Sequence, residues 1–178
     1  MMIWLFLRIT GFLAYFYFTW AVIAGFLRKS NVPKKRKNLL FHMHTNAGWY
    51  GLFALTAHFL LVAADTYVNF PLLTLIVPFS TQDRSLYLSL GIIASYLFII
   101  VLFTSDVYLT TMHRTLWKWL HFLTVPAWLL ALSHSLGIGS DTFRPIILGF
   151  YMITSLSVLF ALGYRINKRK MNTSGKGE

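Results

Sequence analysis

Five stretches free of Asp, Glu, Lys and Arg are each long enough to cross a lipid bilayer, and nothing else in the chain constrains its fold as strongly. They cover residues 9–27, 39–64, 86–105, 119–140 and 145–164. A crossing takes about 20 apolar residues at 1.5 Å of rise each. Hydrocarbon offers no hydrogen-bond partner, so each segment must pair its own backbone groups, which a helix does. The expected fold is an all-α integral membrane bundle of five transmembrane helices. Residues 1–178 read as one membrane domain with no soluble domain, and 165–178 as a polar cytoplasmic tail whose last eight residues are unstructured. Charged residues make up only 12% of the chain, against about 25% in soluble proteins, too few to cover a domain in water. Cysteine is absent, which excludes disulfides, iron–sulfur clusters, thiolate nucleophiles and covalently attached haem.

The net charge of +11 raises the possibility of nucleic-acid binding, but the placement of the charges answers it. Arg28, Lys29, Lys34, Lys35, Arg36 and Lys37 fall between the first two spans, and Arg114 and Lys118 between the third and fourth. Arg165, Lys168, Arg169, Lys170 and Lys176 follow the fifth. If the spans alternate, these thirteen share one side, and only Arg8, Arg84 and Arg144 lie on the other, with Asp65, Asp83 and Asp141. The positive-inside rule then puts the C-terminus in the cytoplasm and the N-terminus outside. The KKRK run at 34–37 is a topology determinant that can touch anionic lipid. The first span has too long an apolar core for a signal peptide and no clear A-x-A site, so it stays a helix. No internal repeat stands out.

Residues 70–79 (FPLLTLIVPF) are apolar but too short to span, with Pro71 and Pro78 near the ends. They fit an interfacial or re-entrant segment and an ordinary apolar loop equally well.

An ionisable residue at membrane depth marks function by default. His58 and His134 lie well inside the second and fourth spans, and His44 and His121 lie near the cytoplasmic ends of the same two spans. The separations are 14 and 13 residues, roughly 21 and 19.5 Å along a helix. Two parallel helices thus carry imidazoles at two matching heights, His44 with His121 and His58 with His134. A planar ligand with two open axial positions suits each pair, and bis-His b-type haem is the candidate. Zinc fits poorly, because its ligands cluster within a few ångströms.

Rotational phase divides the pairs. Fourteen residues keep His44 and His58 on one face, whereas thirteen put His121 and His134 on different faces of a straight helix. Pro126 lies between them and predicts a kink or altered winding. His42 points away from His44, since i and i+2 do not share a face. It reads as interfacial and is the rival for the place of His44. His113 reads as a solvated loop residue.

At these residues the chain resembles the ferric reductase and NADPH oxidase transmembrane haem domain family. The matching pieces run from His44 to His58 (HTNAGWYGLFALTAH) and from Phe103 to His134, the latter with Arg114, Leu116, Trp117 or Trp119, Leu120 and His121 in order. This half is also similar to the membrane haem subunit of the bacterial periplasmic methionine sulfoxide reductase system. The resemblance implies two stacked haem b groups with His44, His58, His121 and His134 as axial iron ligands, in the bacterial inner membrane. Two departures stand out. The usual family member has six spans, and the reductases append a flavin and nicotinamide domain. No dinucleotide-binding glycine loop occurs here.

The implied function is transmembrane electron transfer. The donor would be a separate cytoplasmic reductase, a reduced flavin or a quinol, and the acceptor outside ferric iron, oxygen or a periplasmic redox enzyme. A single-haem subunit of a periplasmic reductase and a non-haem small-molecule transporter are the alternatives. Arg114 and Lys118 are candidates for inner haem propionates, and Arg84 and Arg144 for outer ones or an anionic acceptor, although topology with snorkelling for the first two and solvation for the last two are the simpler explanations.

Overall fold

The computed structural model describes residues 2–30, 32–65, 71–80, 85–106, 111–139 and 141–174. Among them every regular element is helical: α1 (Met2–Arg28), α2 (Lys34–Ala64), α3 (Leu72–Ile76), α4 (Ser85–Asp106), α5 (Arg114–Phe122), α6 (Thr124–Ile138) and α7 (Pro145–Ser174). Five helical runs are long and apolar enough to cross a membrane: α1, α2, α4, α5 with α6, and α7. The chain is an all-α membrane helix bundle.

Several boundaries differ from the sequence expectation. The KKRK run is the first turn of α2. Its helix of 31 residues is about 46 Å long and overshoots a hydrocarbon core of about 30 Å, so this turn lies beyond the apolar layer. The fourth span starts at Arg114, earlier than expected, and ends at Ile138; Ser140 lies outside the described residues. It is interrupted at Leu123. Proline has no N–H and its ring clashes with the carbonyl four residues back, which for Pro126 is Phe122, the last residue of α5. Leu123 N–H turns instead to Leu120 O at 3.0 Å, a tighter turn, and Ala127 N–H resumes the α pattern on Leu123 O at 2.9 Å. The tail is not unstructured from residue 171, because α7 continues to Ser174. Asp83, Arg84 and Lys176 lie outside the described residues.

Of the 70–79 segment, Phe70 lies outside the described residues, and the rest contains the short helix α3 between Pro71 and Val77. Leu75 is buried while Leu72 and Leu73 are exposed. Tyr96 Oη donates to Ile76 O at 2.5 Å, and Phe79 N–H donates to Ser89 Oγ at 2.7 Å, so the segment is tied to α4.

Two antiparallel helix pairs form the bundle, α1 against α2 and α4 against α6, with α7 packed on α1. Tyr15, Phe18, Phe98, Ala127, Trp128 and Tyr151 meet in the buried centre. Trp128 Nε1 donates to Thr19 Oγ1 at 2.8 Å and Tyr15 Oη pairs with Thr154 Oγ1 at 3.1 Å, so these polar atoms are satisfied inside the bundle. Large apolar side chains such as Phe53, Leu60 and Phe160 point outward, as lipid-facing positions require.

Candidate functional site

Of the four membrane-depth histidines, His44 and His58 lie on α2, His134 on α6 and His121 on α5 just before it, and each ring reaches its Nδ1 onto α1 or α4. His58 Nδ1 meets Leu7 O at 2.9 Å, His44 Nδ1 meets Ala21 O at 2.7 Å, and His134 Nδ1 meets Tyr87 O at 2.8 Å. A carbonyl only accepts, so Nδ1 carries the proton in these three rings, which leaves the Nε2 lone pair for another partner. His121 Nδ1 lies 3.0 Å from the Ser105 hydroxyl.

A glycine stands four residues after each of the three carbonyls, and each lets the ring lie against the helix. A Cβ at Gly11 would stand 3.1 Å from His58 Cε1 and Nδ1, and one at Gly25 would stand 3.2 Å from His44 Nδ1. At Gly91 a Cβ would collide with the His134 ring. The helix pairing repeats this seat. Leu7 with Gly11 and Ala21 with Gly25 are fourteen residues apart on α1, and Tyr87 with Gly91 and Val101 with Ser105 are fourteen apart on α4. Ser105 therefore stands where the other three seats have glycine. This repeat was missed from the sequence.

The pairs meet across the bundle. The His44 and His121 rings lie with centroids 5.7 Å apart, planes at 64°, at the end that carries the α1–α2 turn. Trp117 stacks on the His121 ring at 5.0 Å and 22°, and its Nε1 is buried with no hydrogen-bond partner among the described residues. His58 and His134 line one cavity of about 510 Å³ toward the opposite end. Gly11, Gly91, Arg8, Tyr151 and Leu75 of α3 line it too. The tighter winding at Leu123 goes with the thirteen-residue spacing, and His121 and His134 both reach α4 despite it. His42 is exposed, its ring beside Phe41 and away from both pairs. His113 is no idle loop residue: it caps α5, accepting from Thr115 N–H at 3.4 Å.

Charge differs between the two ends. Around the His44–His121 end, Arg28 lies over the Phe41 ring at 4.4 Å and Arg165 over Phe26 at 5.6 Å. Lys29 sits among Arg165, Arg28 and Lys118; partial desolvation first, and these cations next, lower its pKa. At the opposite end Arg8 and Arg144 both pair with Asp141, Arg144 Nε at 3.2 Å. The Arg8 guanidinium, ahead of the Arg144 charge, holds the Asp141 carboxyl below the usual carboxylate range. Arg144 is thus an ion-pair member rather than a merely solvated loop end.

No family model matches this sequence, and no match is found among curated proteins or solved structures.

Proposed function

We propose that the chain is a di-haem b-type membrane cytochrome that passes electrons from a cytoplasmic donor to an acceptor outside. One observation carries the reading: four imidazoles at membrane depth, in two pairs at two heights, three of them with Nδ1 committed to a carbonyl and Nε2 left over. Among the described residues no three His or acidic side chains converge, so neither height is a chelating centre for a bare ion. Two imidazoles per height suit iron whose other four positions a porphyrin fills. The glycine seats fit the same group, since they fix the direction of the His44, His58 and His134 rings from behind. The cavity between His58 and His134 falls in the range of cofactor sites, about 300–1,000 Å³.

His44, His58, His121 and His134 would hold the group, and the chemistry it would supply when bound is outer-sphere transfer of single electrons. The chain's own part is to hold and orient. Leu7, Ala21 and Tyr87 carbonyls fix the tautomer of their histidines, which raises ligand basicity. The bundle's apolar centre keeps water from the region between the two heights. Under the positive-inside rule the basic end faces the cytoplasm. Its cations favour docking of an acidic or phosphorylated donor, such as a separate flavoprotein reductase or a reduced flavin; a quinol is the donor from the lipid side. The likeness to the ferric reductase and NADPH oxidase domains points the same way, with ferric iron, oxygen or a periplasmic redox enzyme as acceptor.

The test is the purified protein's absorbance spectrum and haem content, followed by vesicles with reduced flavin on one side and a ferric chelate on the other. A low-spin bis-His spectrum, about two haems per chain, and ferric reduction lost in His58→Ala and His134→Ala are expected. A colourless protein would end the reading. Full-rate reduction in those variants would remove the outer pair from the path.

A further inference from the structure

The four histidine seats are alike in three cases and different in one. His44, His58 and His134 each donate Nδ1–H to a backbone carbonyl over a glycine. The fourteen-residue repeat assigns His121 the Val101 carbonyl over position 105, but Ser105 fills that seat and offers its hydroxyl at 3.0 Å instead. The Val101 carbonyl takes a Thr104 hydroxyl at 3.2 Å. A peptide carbonyl is a fixed acceptor with a large dipole, whereas a hydroxyl rotates and carries its own proton. The hydrogen bond behind a metal-bound imidazole sets how strongly it donates to the metal. A weaker acceptor behind His121 therefore leaves its Nε2 a weaker donor, which favours reduced over oxidised iron. The surroundings add to this in the same sense. Arg28, over the Phe41 ring at 4.4 Å, and Lys29 next to it stand at the His44–His121 end, and positive charge also favours the reduced state.

We propose that Ser105 is a positioning residue that makes His121 the weakest iron donor of the four, so that the inner haem is the more readily reduced of the two. The proposal rests on the two-haem reading above. It predicts two separate steps in a redox titration, with the inner step at the higher potential.

The experiment is a redox titration of the purified haem-loaded protein followed by absorbance. The step that survives in His134→Ala identifies the inner haem. Ser105→Gly opens the seat that Gly91 gives His134, lets Nδ1 reach the Val101 carbonyl, and lowers the inner step while the outer one stays. Ser105→Ala keeps the seat filled without an acceptor and raises the inner step. Ser105→Thr retains the hydroxyl and leaves both steps in place. An inner step below the outer one in the unaltered protein overturns the proposal, as do Gly and Ala shifts in the same direction or no shift in either. If Ser105→Gly loses haem, the Ala and Thr variants decide, and identical titrations for the two overturn it. Two haems per chain with unmoved steps refute the role of Ser105 alone. A protein without haem refutes the two-haem reading, and the proposal falls with it.

Discussion

Phe18 and Phe98 lie face to face, ring centroids 3.8 Å apart and planes within 4°. Each stands seven residues from both seats of its own helix, Gly11 and Gly25 on α1, Gly91 and Ser105 on α4. The stacked pair thus fills the bundle midway between the two histidine heights and joins one helix pair to the other. Gly51, halfway from His44 to His58, makes room for it: a Cβ there would stand 2.8 Å from Phe18 Cδ1 and Cε1.

In lipid, helices associate through packing rather than through exclusion of water. Phe18→Ala removes a ring that is 4% exposed and leaves a hole beside Phe98 and Trp128. The expected loss is about 3–5 kcal/mol, the range for buried Phe→Ala, read from unfolding in detergent. Phe18→Leu should lose less. Unchanged stability in Phe18→Ala would mean that the pair contributes nothing to holding the halves together.

The glycine seats predict a graded series. Gly91→Ala forces a Cβ into the His134 ring and should cost about 1–3 kcal/mol, as overpacking does, and, under the proposed function, haem at the His58–His134 height. Gly11→Ala and Gly25→Ala meet their rings at 3.1 and 3.2 Å, so small shifts absorb them and the losses are smaller. Gly149 and Gly163 have nothing within 4 Å, and alanine there should cause no loss. Haem content and thermal midpoint across the five variants measure the order. If Gly149→Ala proves as harmful as Gly91→Ala, the seats have no special role.

The spans and the heights of the four histidines were legible because length, hydropathy and residue number fix them without knowledge of neighbours. The seats were not. Glycine is common in membrane helices, so Gly11, Gly25 and Gly91 gain meaning only once α1 is set against α2 and α4 against α6. Ser105 hides the fourth member of the repeat. The break in the fourth span was foreseen from Pro126, but its place was not: a proline disturbs the turn before it, and the helix yields at Leu123. His113 illustrates the opposite limit, since a cap depends on where the helix begins, and α5 begins earlier than hydropathy indicates.

Thr19 is 2% exposed and Trp128 4%, and the Thr19 hydroxyl serves both. It donates to Tyr15 O at 2.7 Å and accepts from Trp128 Nε1 at 2.8 Å. Thr19→Val keeps the shape and orphans the indole N–H. Because an unfolded chain in a membrane also finds partners for its polar groups, the coupling between Thr19 and Trp128 should be about 0.6–1.7 kcal/mol. Thr19→Ser should restore most of the loss. A double-mutant cycle with Trp128→Phe measures the coupling, and a value of zero would show that the bond adds no stability.

Asp141 ties the start of α1 to the turn before α7, for Arg8 follows Leu7, whose carbonyl holds His58. Its pKa is lowered from the ordinary 3.8 by the Arg8 hydrogen bond first. A carboxylate with a depressed pKa in the folded state contributes stability that is fully present above its unfolded value and lost as pH falls through the folded one. Asp141→Asn should therefore be less stable than the unaltered protein by a constant margin from pH 8 to pH 5. The margin should begin to shrink near 3.8 and vanish once the acid is protonated in both states. Arg144 is 73% exposed, so salt should weaken its share more than that of Arg8. Thermal midpoints of the two proteins across this pH range provide the measurement. A margin that widens as pH falls would reverse the sign and show that Asp141 is not held as a carboxylate by Arg8.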